Sequence, residues 1–304
     1  MMNKRWIIFD VDGTLFDKRR EYVPGKGTVE DHHELLRCST YARGRRFGLA
    51  DEEKAIDDVV EAYAFELQRK TLSQTLDSMH PEFKKEYTML ASRYGSNGKV
   101  FEEEFGASPG FFAKVIEQCN LEELLAQDEQ LINTIDRLKE KGYGLGIMSS
   151  DTFKTIDTAL RSLGLEIKDF QFPDHKKKKE LYDNTGDAFP ILCSENIQNK
   201  KPGREGYHKI IRITGAHPED ITYVGDIRTK DIEPPLALGM KAIHVNREEN
   251  DHYYINSLGH MTYVNRDEKG DGIVSCTIVP ELSRNRVEKQ YMQVPDIYLI
   301  DMVL

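Results

Sequence analysis

The stretch Trp6-Ile7-Ile8-Phe9-Asp10-Val11-Asp12-Gly13-Thr14 decides how the rest of the chain is read. A short apolar run of strand type stops at two aspartates, with a glycine that permits a sharp turn directly behind them. Two carboxylates at the end of a buried strand cannot both stay ionised cheaply unless a cation or a hydrogen-bond donor lies nearby. A divalent metal answers that need. Hard oxygen ligands with no histidine in register favour magnesium over zinc or copper.

Two later segments repeat the pattern. Residues 145–148 (LGIM) run into Ser149 and Ser150, and residues 221–224 (ITYV) run into Gly225 and Asp226, with Asp231 close behind. Such short, almost continuous apolar runs are the mark of parallel strands covered on both faces. Two weaker candidates are 189–193 (FPILC) and 241–245 (KAIHV). Between the strands, residues 129–141 and 152–163 read as helices closed by Gly142 and Gly164. Strand alternating with helix predicts an α/β fold, a Rossmann-like doubly wound parallel sheet, with ligands outside the carboxyl ends of the strands.

Roughly a hundred residues separate the first strand from the second, far more than a crossover requires. That interval must carry its own structure. Residues 51–67 place Ile56, Val59, Val60, Tyr63 and Leu67 on one helical face, and Ser108-Pro109 reads as the start of a helix running through Ile116. The expected organisation is therefore a core of residues 1–17 and 128–304 with a mostly helical inserted domain over 18–127. Within the core, 173–189, with its four consecutive lysines, and about 251–292 read as insertions.

The chain has 304 residues and a net charge of −10, from 52 acidic and 42 basic side chains. This disfavours nucleic acid or an anionic membrane as the main partner and points to a small ligand. Cys38, Cys119, Cys193 and Cys276 are too scattered for a zinc site or a disulfide framework. The N-terminal apolar run is too short for a signal peptide, so the expected location is cytoplasmic.

Lys200 and Lys201 precede a predicted helix beginning near Arg204, a placement suited to an anion. The hydroxyls and amides of Ser149 and Ser150 suit phosphate oxygens. Strand-end aspartates, a hydroxyl, a lysine and a metal together make a phosphoryl site. In this order the residues resemble the four motifs of the haloacid dehalogenase-like superfamily. DVDGT at 10–14 is similar to the first motif, IMS ending at Ser149 to the second, Lys201-Pro202 to the third and GDIRTKD at 225–231 to the fourth.

The resemblance implies a helical cap of the C1 type inserted between the first two motifs, and it likens the closing VPDIYLIDMVL to the family's final strand. It implies Asp10 as nucleophile through an aspartyl-phosphate and Asp12 as acid and then base. It also implies a magnesium ion held by Asp10, the Asp12 carbonyl and Asp226. Asp231 would act through water or by orienting Lys201, while Ser149 and Lys201 would hold the phosphoryl group. The second aspartate favours phosphate esters, because the dehalogenase and phosphonatase branches lack it.

The expected activity is a magnesium-dependent phosphatase acting on a small phosphorylated metabolite. The alternatives are a phosphomutase on a sugar phosphate and a non-catalytic phosphate-binding module. A dinucleotide site fails on glycine spacing, since Gly142, Gly144 and Gly146 precede or lie within a strand. Arg43, Arg45 and Arg46 in YARGRRFGL read as a solvated basic turn. If one of them faces the cleft, the substrate carries a second anionic group.

Overall fold

Strand β1 (Trp6–Phe9) is buried along its whole length and is flanked on both sides by parallel strands, so it sees no solvent on either face. We describe a computed structural model covering residues 4–78, 81–118, 123–247, 253–255, 261–263, 277–281, 289–294 and 296–304. It divides into two compact units, one of Met1–Asp17 with Gln127–Leu304 and one of Lys18–Ala126.

The first unit is a parallel sheet with helices packed against it. After β1 its elements are α7 (Glu129–Glu140), β2 (Gly144–Ile147), α8 (Phe153–Ser162), α9 (Glu205–Thr214), β3 (Ile221–Gly225), α10 (Glu233–Ala237) and β4 (Lys241–Val245). The described parts of the following region are β5 (Tyr253–Ile255), β6 (Met261–Tyr263), β7 (Thr277–Glu281) and β8 (Lys289–Val294), and α11 (Ile300–Val303) closes the chain. The sheet order is β2-β1-β3-β4-β8-β7, parallel except for β7, while β5 and β6 form a separate antiparallel pair. Because β2 lies on one side of β1 and β3 on the other, the chain changes direction at β1. The carboxyl ends of these strands are where ligands bind in open α/β sheets.

One face of the sheet buries Trp6 and Ile8 with Phe172, Tyr207, Ile210 and Tyr223. Each fully buried apolar side chain of this size contributes about 2 kcal/mol. The glycines of KGYGLG are explained by this packing. A Cβ at Gly144 would lie 2.6 Å from the Trp6 ring, and one at Gly146 would lie 2.7 Å from the Phe172 ring. They are small so that two aromatic rings can lie against β2.

Three expectations need correction. Residues 189–193 form no strand of their own; Leu192 makes a single parallel bridge to Met148. The closing VPDIYLIDMVL is not the last strand, because β8 ends at Val294 and residues 297–303 form a 3-10 turn and α11. Ile297 and Ile300 are both fully buried, a three-residue spacing that a helical turn satisfies and a strand does not. The helix expected from Ser108 begins instead at Phe111, after Gly110 in the left-handed region. Ser108 uses its hydroxyl elsewhere, donating to Glu52 at 2.6 Å.

Residues 173–189 contain two short 3-10 turns and a loop gathered on the Asp183 carboxylate, which accepts the amides of Thr185, Gly186 and Asp187. Leu181 anchors this segment in the core, and Lys178 donates to the Ile213 carbonyl at the end of α9. Most of 251–292 lies outside the described residues.

The second unit is helical: α1 (Val29–Phe47), α2 (Glu52–Arg69), α3 (Leu72–Ser78), α4 (Pro81–Tyr94), α5 (Asn97–Phe105) and α6 (Phe111–Glu117). Thr28 and Asp31 form a reciprocal capping box at the start of α1. The core of this unit is aromatic, with Phe101 surrounded by the rings of Tyr87, Phe105, Phe111 and Phe112. No helix among the described residues is long and apolar enough to cross a membrane.

Candidate active site

The backbone of β1 carries Asp10 to the strand end, where its amide donates to the Val224 carbonyl of β3 at 2.9 Å. Beyond it the chain turns, with the amides of Thr14 and Leu15 both bonded to the Val11 carbonyl and Gly13 at φ +78°. Only glycine fits there. A Cβ on Gly13 would stand 2.2 Å from a carboxylate oxygen of Asp226. The first motif and the end of β3 are therefore built against each other.

Lys201 is the centre of the arrangement, and its side chain is 5 % exposed. Its ammonium lies 2.8 Å from Asp10 Oδ1 and 2.6 Å from Asp231 Oδ1, and it donates to the Tyr223 hydroxyl at 3.1 Å. Three acceptors meet the three hydrogens of one ammonium. Tyr223 is oriented in turn, since its own hydroxyl donates to the Met148 carbonyl at 2.9 Å. Asp231 is wholly buried, and its second oxygen accepts the Ile227 amide at 3.0 Å. It stands on a π-helical turn, Arg228–Ile232, a conformation common at functional sites. Gly225 makes the approach possible, because a Cβ there would sit 2.3 Å from that of Asp231.

Burial pushes the Asp10 carboxyl well above the usual carboxylate range, Asp231 and Asp226 push it further, and Lys201 opposes them. Burial alone would lower the Lys201 ammonium, but Asp10 and Asp231 outweigh it and hold Lys201 well above the ordinary lysine value. The lysine is thus a fixed positive charge. Burial also raises the Tyr207 and Tyr223 phenols, which keeps both protonated.

Asp10, Asp226 and Asp231 each present a carboxylate oxygen within 4.8 Å of the others. This set of hard oxygens, together with the upward push on Asp10, fits a divalent cation. The Asp12 side chain is not part of that group. Ser149 follows β2, where Met148 donates to the Phe9 carbonyl and so lies beside Asp10. The Ser149 hydroxyl donates to Asp151 at 2.8 Å, and the Asp151 amide returns a bond to it at 3.2 Å. Ser150, next along, is half-buried. Lys200 is exposed, so burial singles out Lys201 of the two lysines.

Arg43, Arg45 and Arg46 belong to the helical unit and lie in the last turns of α1, not in a basic turn. The helix continues there because Gly44 lets the Phe105 ring approach; a Cβ would be 2.9 Å from it. Arg43 pairs with Asp58 at 3.0 Å, Arg45 lies 3.7 Å from Glu86, and Arg46 covers the Phe83 ring. Sequence reasoning missed Tyr223, Asp151 and Arg247, the last of which donates to the Gly13 and Thr14 carbonyls behind Asp12. Tyr223 looked like one more apolar strand residue, and nothing in the pattern marks Arg247.

A doubly wound sheet whose carboxyl edge holds a lysine shared by Asp10 and Asp231 is the arrangement against which the comparisons with known proteins are set. The sequence matches the family model described as haloacid dehalogenase-like hydrolase over residues 4–239, and the chain belongs to that family. A pyrophosphatase of Bacillus cereus, PpaX, is 26 % identical over 34 % of this chain and 40 % of its own length, so the chain spans about two fifths of that relative. A glyceraldehyde 3-phosphate phosphatase of Methanopyrus kandleri is 24 % identical over 79 % of this chain and 83 % of its own. A solved HAD phosphatase from Thermococcus onnurineus shares the fold with TM-score 0.52 at 16 % identity, covering 98 % of this chain and 97 % of that one.

Proposed function

We propose that this chain is a magnesium-dependent phosphatase that hydrolyses a small phosphomonoester through an aspartyl-phosphate on Asp10. The observation that carries this reading is the buried Lys201 ammonium shared by Asp10 and Asp231, with Asp226 in the same carboxylate group. Asp10, Asp226 and the Asp12 carbonyl would hold the magnesium, whose charge would stabilise the transferring phosphoryl group. The chain's own residues perform the rest. An Asp10 oxygen attacks phosphorus as the bond to the leaving oxygen breaks, and Asp12 gives that oxygen its proton. A water then attacks the same phosphorus, Asp12 takes its proton, and the bond to Asp10 breaks to release inorganic phosphate. Ser149 and Lys201 orient the phosphoryl oxygens through both steps. Asp231 holds Lys201 in place.

Residues 18–127 would act as the cap that selects the substrate, with the protein working in the cytoplasm. The Methanopyrus kandleri relative is named for a small phosphomonoester, which makes glyceraldehyde 3-phosphate a useful member of a test panel. The experiment is a screen of phosphorylated metabolites with magnesium, with EDTA and with Asp10→Asn. Phosphate release that needs magnesium and is lost in Asp10→Asn is expected. Wild-type turnover in that variant would remove Asp10 as nucleophile, and isomerisation without phosphate release would replace the phosphatase reading by a phosphomutase. The contribution of Arg43, Arg45 and Arg46 to substrate binding is tested by alanine at each. An unchanged Michaelis constant in all three would remove them.

A further inference from the structure

We propose that Arg247 is a positioning residue that clamps the turn behind Asp12 and so sets where the Asp12 carboxyl stands. The residue lies just beyond β4, two strands away from β1, a lateral distance of about 10 Å in a sheet. It reaches back across the end of β3. Its guanidinium donates through Nη1 to the Gly13 carbonyl and through Nη2 to the Thr14 carbonyl, the latter at 2.8 Å. Its side chain is 10 % exposed, and Asp296, just past β8, lies 3.7 Å from Nη2. A cation is thus held inside the sheet end by contacts to the nucleophile loop on one side and to the last strand's exit on the other.

The geometry has a directional meaning. Gly13 is confined by the Asp226 carboxylate on the side where its Cβ would be, while its carbonyl and the next are drawn to Arg247. The Thr14 and Leu15 amides close the turn on Val11 from within. Asp12 is the residue immediately before these clamped carbonyls, so its backbone is held by the clamp on its neighbours. Two consecutive carbonyls suit a planar fork with two parallel donors, a fixed geometry that the point-like ammonium of a lysine does not reproduce. Buried carbonyls without such donors are costly, which gives the clamp a driving force of its own.

This assignment rests on the phosphatase reading for its kinetic consequence, but its structural half is measured without turnover. Amide exchange of the peptide covering residues 10–17 is followed by mass spectrometry in the full chain, for wild type, Arg247→Ala and Arg247→Lys. The alanine variant is expected to exchange at least about tenfold faster in that peptide, with residues 221–225 unchanged. Exchange at the wild-type rate, or an equal acceleration in both segments, would overturn the assignment.

The kinetic half uses magnesium-dependent hydrolysis of p-nitrophenyl phosphate. Arg247→Ala is expected to lower kcat about a hundredfold with little change in KM, as small misplacements of catalytic groups do. Millimolar guanidinium chloride should restore part of that loss in Arg247→Ala and none in Asp10→Asn. A kcat that simply follows the folded fraction, with no rescue, would overturn the positioning role. Were the wild type to show no Asp10-dependent hydrolysis of any phosphoester, the phosphatase reading would fall while the exchange result still decided Arg247.

Discussion

In the sheet unit, one ammonium and two carboxylates, Lys201 with Asp10 and Asp231, are buried together at the strand ends. In the helical unit the pairs Arg45–Glu86, Lys54–Asp58 and Lys84–Glu34 lie on exposed or part-exposed side chains, while the core holds aromatic rings in stacked and edge-on contact. The difference shows what each unit is organised around. A buried ionic group costs desolvation that its partners only offset, and replacing such a group by apolar packing is often neutral or stabilising. The helical unit takes the cheaper route, burying rings and leaving its paired charges at least partly in water, the least exposed being Arg37 and Arg43 at 14 %. The sheet unit keeps the expensive arrangement where chemistry is proposed.

The largest effect should come from breaking the buried group from one side. Lys201→Met leaves Asp10 and Asp231 without their shared cation and should cost about 3–5 kcal/mol of stability, with turnover lost as well. Denaturant unfolding of the metal-free protein measures it. Adding Asp10→Asn to Lys201→Met should recover a substantial part of the loss, because one of the two stranded carboxylates is then gone. A double variant as unstable as the sum of the two single variants would refute the shared-cation account.

Phe101→Ala is the counterpart in the helical unit, where a fully buried ring contacts four others. A cavity of that size should cost about 3–5 kcal/mol. Its signature differs from that of Lys201→Met, because no charge is stranded and the loss should not depend on pH between neutral and mildly acid conditions. Calorimetry at two pH values separates the two cases.

Among the buried titrating groups of the helical unit, His32 is the one that changes charge near neutral pH. His32 is packed under the Tyr63 hydroxyl and the Lys26 carbonyl, and burial holds its imidazole below the ordinary 6.5. In the unfolded chain the ring gains a proton as pH falls through 6.5, while in the folded unit it does so only at lower pH. The unfolded state therefore binds more protons in that window, and stability, complete above 6.5, falls as pH drops below it. His32→Gln should flatten this part of the stability curve. An identical curve in the variant would show that the ring titrates alike in both states.

The sheet and its motifs were legible because a strand buried on both faces writes an unbroken apolar run. The candidate aspartates, serine and lysine stand at the ends of such runs, close behind them or just before the next helix. What was not legible depends on contacts between distant strand ends. Asp231 was read from its motif but the π-helical turn that carries it was not, since no simple period encodes one, and Arg247 reaches carbonyls 234 and 233 positions earlier in the chain. The end of the chain was misread for a related reason. Residues 297–300 are apolar enough for a strand, and only their packing, with Ile297 and Ile300 buried together, shows a helical turn. Gly44 misled in the opposite direction, suggesting a turn where a ring needed room.

The smallest effect belongs to Arg45→Ala. The Arg45 side chain is 53 % exposed and stands 3.7 Å from Glu86, a separation at which water and salt screen most of the attraction. Its removal should change the stability of the helical unit by no more than about 0.5 kcal/mol, at low salt as well as high. The same variant tests whether the helical unit spends any of its surface charge on ligand. If stability is unmoved while the Michaelis constant for an anionic phosphoester rises severalfold, Arg45 belongs with the substrate and the contrast between the units is one of burial alone. If neither changes, the contrast is one of function too, with Lys201 rather than the α1 arginines supplying the positive charge for the phosphoryl group.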